Sequence, residues 1–323
     1  MPSDLTAAEF EVISRWEVGE VLSARVSGQG AVNHTVLLEA EHGAYALRAY
    51  RPDKRREEVE LEHRMIFHAW MKGICAVPPL ALPEGGTYLE HQGRFYALFA
   101  KAPGFQVARD ALTAEHMTLM GQFLARLNLA LADFPTEGLY RRSFDTTVSD
   151  TLTRIARLEA KIGKWPKPGF LEDSAMMCLD QQRDYLRRNS RAFDLGGITF
   201  QATHGDFHEG NLFFEGEQIV ALIDWDQVRA GARAWDAIRY ASFLTIDRPP
   251  GLIRVFLRAF VEDAGLAPGE FERTVRLFAA YHAHDLWALE AYYLEGNPQA
   301  KFFISPIFVP FEERWAGIGF RGG

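Results

Sequence analysis

Residues 203–211 read THGDFHEGN, and residues 223–226 read IDWD. Asp206 and Asn211 stand five residues apart, and Asp224 follows Asn211 by thirteen. A plain polar turn ahead of a β-hairpin would explain the His-Gly-Asp tripeptide, but it would not require two carboxylates and an amide at such regular positions. The pattern therefore indicates a site where these three side chains act together.

Apolar segments on either side of a short turn bring two of these residues together. Residues 212–214 and 218–223 are expected to form strands, and Glu-Gly-Glu at 215–217 is expected to form the turn between them. Folding this hairpin places Asn211 and Asp224 at its same open end, beside the preceding loop.

Phosphoryl transfer needs two carboxylates and an amide of this kind, because the protein contributes to this reaction mainly by positioning the reactants and by stabilising charge. One carboxylate must lie near the attacking hydroxyl group, while a second carboxylate and a neutral oxygen hold Mg²⁺ against the nucleotide phosphates. Protein kinases place an aspartate, an asparagine and a second aspartate in this order. Asp206, Asn211 and Asp224 are the candidates for these roles, with ATP and Mg²⁺ as the expected cofactors.

The N-terminal third is expected to form an antiparallel sheet and one long helix. Strands are predicted over residues 18–27, 31–40, 44–50, 76–82 and 87–100, and the helix over residues 55–72. Gly28 and Gly30 lie between the first two strands, where they either let the backbone approach phosphate groups or serve only as a hairpin turn.

Arg48 ends the third predicted strand, with its side chain directed into a cleft. A buried cation that holds nucleotide phosphates is usually fixed by a carboxylate of the neighbouring helix. Glu62 is the preferred partner and Glu58, one turn earlier, is the competitor, although exposed helix charges would give the same pattern. Residues 51–54 are expected to form a solvated loop.

From residue 101 onward the chain is expected to be mostly helical. Lys-Ala-Pro-Gly at residues 101–104 breaks the strand pattern, so residues 1–100 are assigned to an N-lobe and residues 101–323 to a C-lobe with the acceptor site. Helices are predicted over about residues 116–132, 150–162, 174–189, 236–244, 251–264 and 271–294. The last one carries either an acidic, aromatic wall for an amine cation or merely the polar edges of a core helix.

Composition sets wider limits on function. The chain has 323 residues and a formal net charge of −8, which argues against a duplex nucleic-acid binder because such proteins carry a basic face. Its two cysteines fit a reducing compartment, and it shows neither a signal peptide nor an apolar run of membrane-spanning length. A cytoplasmic protein without nucleic-acid or membrane partners is expected, while the oligomeric state stays open.

With these residues in place, the chain resembles the superfamily of aminoglycoside phosphotransferases, choline kinases and type II homoserine kinases over nearly its whole length. The resemblance is carried by the hairpin strands, the pair Arg48 and Glu62, a hinge near Phe99 and Ala100, and the motifs at 204–211 and 223–224. It implies an α+β, bilobal protein kinase-like fold with a small antiparallel-sheet N-lobe, a larger mostly helical C-lobe and ATP between them.

The resemblance also implies roles for individual residues. It assigns Asp206 to orienting and deprotonating the acceptor hydroxyl, and Asn211 and Asp224 to binding Mg²⁺. The residues expected at the nucleotide are Gly28, Gly30, Arg48, Glu62, Phe99 and Ala100. Arg48 departs from the pattern of protein kinases, which have lysine there, and a guanidinium contacts phosphate with a different geometry.

The leading hypothesis is a kinase that phosphorylates a hydroxyl of a small, amine-bearing acceptor. Residues 49–52 and 91–96 look like those of bacterial stress-response Ser/Thr protein kinases, so a protein acceptor is the alternative. A nucleotide-binding regulator without activity is a third hypothesis, and the intact set of catalytic residues argues against it. A zinc hydrolase built on His204 and His208 is disfavoured, because no clear third ligand follows.

Overall fold

An antiparallel sheet lies in the N-terminal part of the computed structural model, which describes residues 5–27, 34–189, 192–305 and 307–322. Its strands are β1 (Val21–Val26), β2 (His34–Ala40), β3 (Gly43–Ala49), β4 (Leu89–His91) and β5 (Arg94–Ala100), in the order β1-β2-β3-β5-β4. Val36, Leu38 and Leu47 alternate with more exposed residues and are buried against helix α1 (Ala7–Ile13).

Helix α2 (Arg56–Met71) confirms the helix predicted over residues 55–72. Leu61, Met65 and Ile66 on this helix belong to the large apolar core that also contains most of the C-terminal helices. On the same helix Glu62 and His63 are buried as well. The helix is therefore fixed between the sheet region and the helical portion, and it carries charged groups into the space between them.

The strand predicted over residues 76–82 is wrong. This segment forms only single bridges, from Ala76 to Leu222 and from Pro79 to Phe99. Pro78 and Pro79 have no N–H group to donate to a neighbouring strand, so the segment cannot continue a ladder of hydrogen bonds.

The larger portion of the protein is helical. Its helices are α3 (Ala114–Ala130), α4 (Val148–Ile162), α5 (Phe170–Arg188), α6 (Trp235–Leu244), α7 (Pro250–Asp263), α8 (Glu270–Ala283), α9 (Trp287–Tyr293) and α10 (Phe311–Ile318). The prediction of a single helix over residues 271–294 is wrong, because the helix is interrupted by a break between α8 and α9. Asp285 lies in this break, where its Oδ1 accepts a hydrogen bond from the backbone N–H of Trp287, the first residue of α9.

Two small sheets bring the motif loops together. Strands β8 (Leu212–Glu215) and β9 (Gln218–Leu222) form the predicted hairpin. Strands β6 (Tyr140–Arg141), β7 (Phe200–Thr203) and β10 (Arg229–Ala232) form a sheet in the order β6-β10-β7, which was not predicted. Because Thr203 pairs with Arg229, the loop after β7 lies directly beside the segment that precedes β10.

The architecture is α+β, with a small antiparallel sheet region followed by a larger helical portion, as predicted. The assignment of residues 1–100 and 101–323 to separate lobes stays a prediction. None of the helices in the described ranges is long and apolar enough to cross a bilayer.

Candidate active site

The loop after β7 holds the predicted catalytic residues close to one another. Nδ2 of Asn211 donates to the backbone oxygen of Asp206 at 2.9 Å. The backbone N–H of Ile223 donates to the carbonyl of Asn211 at 3.0 Å, so Asp224 follows immediately at the same edge. The side chains of Asp206 and Asp224 are 24% and 38% exposed and can meet ligands.

Gly205 allows this loop to turn tightly. Its φ is +82°, and a Cβ there would lie 2.0 Å from the carbonyl oxygen of Gln227, so only glycine fits. Its N–H donates to Oδ2 of Asp236 at 2.9 Å. Asp236, in the first turn of α6, therefore holds the loop from beneath.

His204 acts as a structural link in the loop. Its Nε2 lies 3.1 Å from the carbonyl oxygen of Ile223, and its Nδ1 accepts from the N–H of Asp206 at 3.3 Å. These contacts require a neutral ring protonated on Nε2, and burial lowers the pKa of His204. In His208, Nδ1 accepts from the N–H of Gly210. Among the described residues no group of three His, Cys, Asp or Glu side chains could hold a metal ion.

Asp224 adopts a conformation that non-glycine residues rarely take. Its φ and ψ are +61° and +65°, in the left-handed region. Nη2 of Arg48 lies 3.0 Å from its Oδ1. Strained residues of this kind cluster at functional sites, which supports a role for Asp224.

The predicted contact between Arg48 and Glu62 is present, with Nη1 and Oε1 3.2 Å apart. Glu58 instead contacts Arg51 and Arg55 on the surface. Burial disfavours the charge of Arg48, but the carboxylates of Asp224 and Glu62 outweigh burial and raise its pKa. Arg48 therefore stays cationic at the edge of the site.

Lys54 corrects the prediction of a solvated loop over residues 51–54. Its side chain is only 3% exposed, and Nζ lies 3.1 Å from Oε2 of Glu62 and 2.5 Å from Oδ1 of Asp226. Although burial alone would raise the pKa of Asp226, the ammonium group of Lys54 lowers it. No pattern in the sequence indicates this contact, because Lys54 and Asp226 are 172 residues apart.

Four further residues were predicted to contact the nucleotide, namely Phe99, Ala100, Gly28 and Gly30. Phe99 is half-buried on β5, with its ring centroid 5.8 Å from Cζ of Arg48. Ala100 is exposed at the end of that strand. Gly28 and Gly30 lie outside the described residues. Roles at ATP stay predictions for all four.

The helix segment predicted as an acidic wall for an amine does not offer a free acidic group at Glu290. Both oxygens of Glu290 accept from Arg154, at 2.8 and 2.6 Å. Nε2 of His282 lies 2.9 Å from Nη2 of Arg314. The carboxylate of Glu290 is thus already paired with a cation of the protein.

Arg239 is a site residue that sequence reasoning missed. It lies on α6, and its Nη2 is 2.8 Å from Oδ1 of Asp206. A single arginine in the second turn of a helix forms no sequence pattern that would indicate a role in the site. The contact arises because Asp236, on the same helix, anchors the catalytic loop.

The donor set is suited to a Mg²⁺–nucleotide complex. Since Nδ2 of Asn211 is used within the loop, its Oδ1 is the polar atom left for a cation, next to the carboxylate of Asp224. Mg²⁺ takes such hard oxygen ligands and needs few of them from protein, because phosphates and water supply the rest. The cation Arg48 lies beside them for the phosphates.

Several homoserine kinases are similar to part of the chain. The protein from Xanthobacter autotrophicus is 25% identical over 224 residues, covering 69% of this chain and 65% of the relative. That from Neisseria meningitidis serogroup B is 26% identical over 213 residues, covering 66% and 63%. The chain thus spans less than two thirds of the length of these relatives.

Solved structures share the fold. An aminoglycoside phosphotransferase from Alicyclobacillus acidocaldarius superposes with a TM-score of 0.66 at 15% identity, covering 98% of this chain and 96% of that one. Spectinomycin phosphotransferase, in complex with ADP and spectinomycin, has a TM-score of 0.60 at 15% identity, with 97% and 99% covered. The sequence model of the phosphotransferase enzyme family matches residues 23–271, and the protein therefore belongs to this family.

Proposed function

We propose that this protein is a kinase that transfers the γ-phosphate of ATP, in the presence of Mg²⁺, to a hydroxyl group of a small molecule. The observation that carries the proposal is the convergence of Asp206, Asn211 and Asp224 at one edge, with Arg48 in contact with Asp224. The homoserine kinase relatives and the spectinomycin phosphotransferase support a small-molecule acceptor.

Each residue has a distinct role in this reaction. Asp206 accepts the hydrogen bond of the acceptor hydroxyl and takes its proton as the hydroxyl oxygen bonds to the γ-phosphorus and the bond from that phosphorus to the bridging oxygen breaks, which releases ADP. Asn211 and Asp224 would hold Mg²⁺, which when bound would neutralise charge on the nucleotide phosphates. Arg48 adds a fixed positive charge, and Glu62 keeps its guanidinium in place.

The acceptor we favour is an amino alcohol of the homoserine type. Homoserine carries a primary hydroxyl and an amine, which agrees with the acceptor class expected from the sequence. The ion pair between Glu290 and Arg154 gives no support to an acidic wall at Glu290 as the site that recognises the amine.

Replacing Asp206 with asparagine tests the proposal. Asp206→Asn should keep binding of AMP-PNP and lower kcat by about 100-fold to 10,000-fold, because the hydroxyl loses its proton acceptor. ADP release would be measured against homoserine, other amino alcohols, aminoglycosides and generic protein substrates. An exposed aspartate on α5, replaced as Asp184→Asn, is the matched control.

The outcomes separate the alternatives. Unchanged turnover in Asp206→Asn would remove this residue from the mechanism. Transfer from labelled ATP only to serine or threonine of proteins would replace the small-molecule kinase with a protein kinase. Nucleotide binding without transfer to any acceptor would favour a regulator.

A further inference from the structure

The side of Asp206 that faces α6 and β10 is rich in arginine. Arg239 contacts Asp206 directly, with Nη2 and Oδ1 2.8 Å apart. Arg229 packs beneath the loop, since a Cβ at Gly205 would lie 2.6 Å from its Nε. Arg142, which follows β6, lines the same cavity of about 10 Å³ as Arg229.

Two of these arginines form no ion pair with a carboxylate of the described residues. Arg229 is 9% exposed, and its Nε and Nη2 donate to the backbone and side-chain oxygens of Gln227. Arg142 donates to the hydroxyl of Tyr281, and its Nε is buried without a hydrogen-bond partner. In the described ranges no carboxylate lies within ion-pair distance of either guanidinium.

Aromatic rings hold Arg142 in this place. Its Cζ lies 5.0 Å from the ring centroid of Trp235 and 4.8 Å from that of Tyr281. These contacts stabilise a cation without neutralising it. Burial, followed by the charge of Arg142, lowers the pKa of Arg229, as expected for two cations that lie close together.

The two sides of Asp206 therefore differ in charge balance. On the nucleotide side, Arg48 and Lys54 each contact carboxylates. On the α6 side of the described structure, Arg239 pairs with Asp206, whereas Arg229 and Arg142 form no ion pair with a carboxylate, so positive charge is less completely balanced there. Positive charge in a partly buried site attracts an anionic group of a ligand.

We infer that Arg239 binds a carboxylate group of the acceptor, with Arg229 and Arg142 supplying positive potential behind it. The inference rests on the proposed function, because it assumes that the acceptor hydroxyl meets Asp206. An acceptor that places its hydroxyl on Oδ2 of Asp206, which lies 3.9 Å from Nε2 of His208, has its neighbouring groups beside Arg239, whose planar fork suits a carboxylate. The substrate class is a small hydroxy acid whose carboxylate lies a few bonds from the hydroxyl.

Pairs of acceptors that differ only in the carboxylate test this inference. L-Homoserine is compared with 3-aminopropan-1-ol, and 4-hydroxybutanoate with propan-1-ol. The wild type should use the carboxylate member of each pair with a kcat/KM about 10-fold to 100-fold higher, the usual effect of one hydrogen bond between charged groups. Equal or better use of the carboxylate-free members overturns the inference.

Substitution of Arg239 separates binding of the acceptor from positioning of Asp206. Arg239→Gln should raise KM for the carboxylate member about 10-fold to 100-fold more than for its partner, and Arg239→Lys should recover part of the loss. Arg258→Gln, at an exposed arginine of α7, is the matched control. An equal fall in kcat for both members of a pair would mean that Arg239 only positions the base.

Thermal unfolding gives a readout that does not depend on turnover. With AMP-PNP and Mg²⁺ present, 4-hydroxybutanoate should raise the Tm of the wild type more than propan-1-ol does, and Arg239→Gln should abolish the difference. Phosphorylation of carboxylate-free acceptors alone overturns the inference and leaves the proposed function standing. Absence of both transfer and stabilisation with these four compounds overturns the inference, whereas the proposed function is overturned only when no small-molecule acceptor of its own panel is phosphorylated.

Discussion

At the scale of single residues, Glu62 organises the charges of the site. Its Oε1 contacts Arg48 and its Oε2 contacts Lys54, and each cation in turn holds one aspartate of the IDWD motif. Arg48 contacts Asp224, and Lys54 contacts Asp226. Since these groups are largely buried, removal of one cation leaves a carboxylate without its partner in a medium that stabilises charge poorly.

Lys54→Met should therefore destabilise the protein. We expect the free energy of unfolding to fall by about 3–5 kcal/mol, because Asp226 and one oxygen of Glu62 lose their buried counter-ion. Urea unfolding measures the change. The double variant Lys54→Met/Asp226→Leu should recover part of the loss, whereas equal stability of Lys54→Met and the wild type would contradict the pairing.

His63 makes stability depend on pH. Burial, together with the nearby charges of Arg48 and Lys54, lowers the pKa of His63 from 6.5 to about 3. Between these pH values the unfolded chain binds a proton at His63 that the folded protein does not bind. The contribution of a neutral His63 to the free energy of unfolding is therefore fully present above pH 6.5 and falls as the solution is acidified. The slope from this group is about 1.4 kcal/mol per pH unit.

His63→Gln should remove this part of the pH dependence. Urea unfolding from about pH 7 to about pH 4.5 should show a shallower slope in the variant than in the wild type. Tyr50 and Thr87, which contact the ring nitrogens, remain available to the amide. Parallel curves for the two proteins would show that His63 is not buried in a neutral form.

At the scale of elements, the crossing of α3 and α7 supports the catalytic loop. Phe207 of that loop stacks between Phe123 of α3 and Phe256 of α7, with ring centroids 6.4 Å away on each side. Gly121 lets the two helices approach closely, since a Cβ there would lie 2.4 Å from the carbonyl oxygen of Phe256. The spacing of this helix pair thus fixes the depth at which Phe207 is held.

Gly121→Ala should push the two helices apart. We expect a loss of about 1–3 kcal/mol in the free energy of unfolding, the usual cost of overpacking, together with lower kcat through the displaced loop. The control is Gly317→Ala in α10, where the new methyl group meets nothing within 4 Å and should stabilise the helix by about 0.5–1 kcal/mol. Similar effects of both substitutions would contradict the close approach.

At the scale of the whole molecule, ion pairs join the sheet region to the hairpin edge. The contact between Arg48 and Asp224 spans 176 residues of sequence, and that between Lys54 and Asp226 spans 172. A Mg²⁺–nucleotide complex bound by Asn211 and Asp224 would add further contacts between these distant segments. Binding should consequently stabilise the entire protein.

AMP-PNP with Mg²⁺ should raise Tm by several degrees, since a ligand at one hundred times its Kd contributes about 2.7 kcal/mol. Chelation of the metal with EDTA, or Asn211→Ala, should remove most of this rise. Asp206→Asn should retain it, because Asp206 is assigned to the acceptor. Thermal scans check these outcomes, and an unchanged rise in Asn211→Ala would remove that residue from the metal site.

Local patterns in the sequence determined much of the candidate site. The hairpin at 212–222 and the contact between Arg48 and Glu62 were predicted correctly, because both depend on turns and on the spacing of neighbouring elements. Apolar patterns predicted a sheet followed by helices, and the resemblance to the phosphotransferase superfamily implied the α+β class. The segment at 76–82 and the break after α8 were missed, since two prolines and the local hydrogen bond of Asp285 overrode apolar periodicity.

The sequence by itself determined which residues form the Asp206, Asn211 and Asp224 set, because a short loop and a hairpin leave few ways to arrange them. Only the tertiary structure placed Lys54 on Asp226 and Arg239 on Asp206. These contacts join segments whose relative position depends on how the helices pack against the sheets. That packing is a property of the whole core, and no spacing along the chain encodes it.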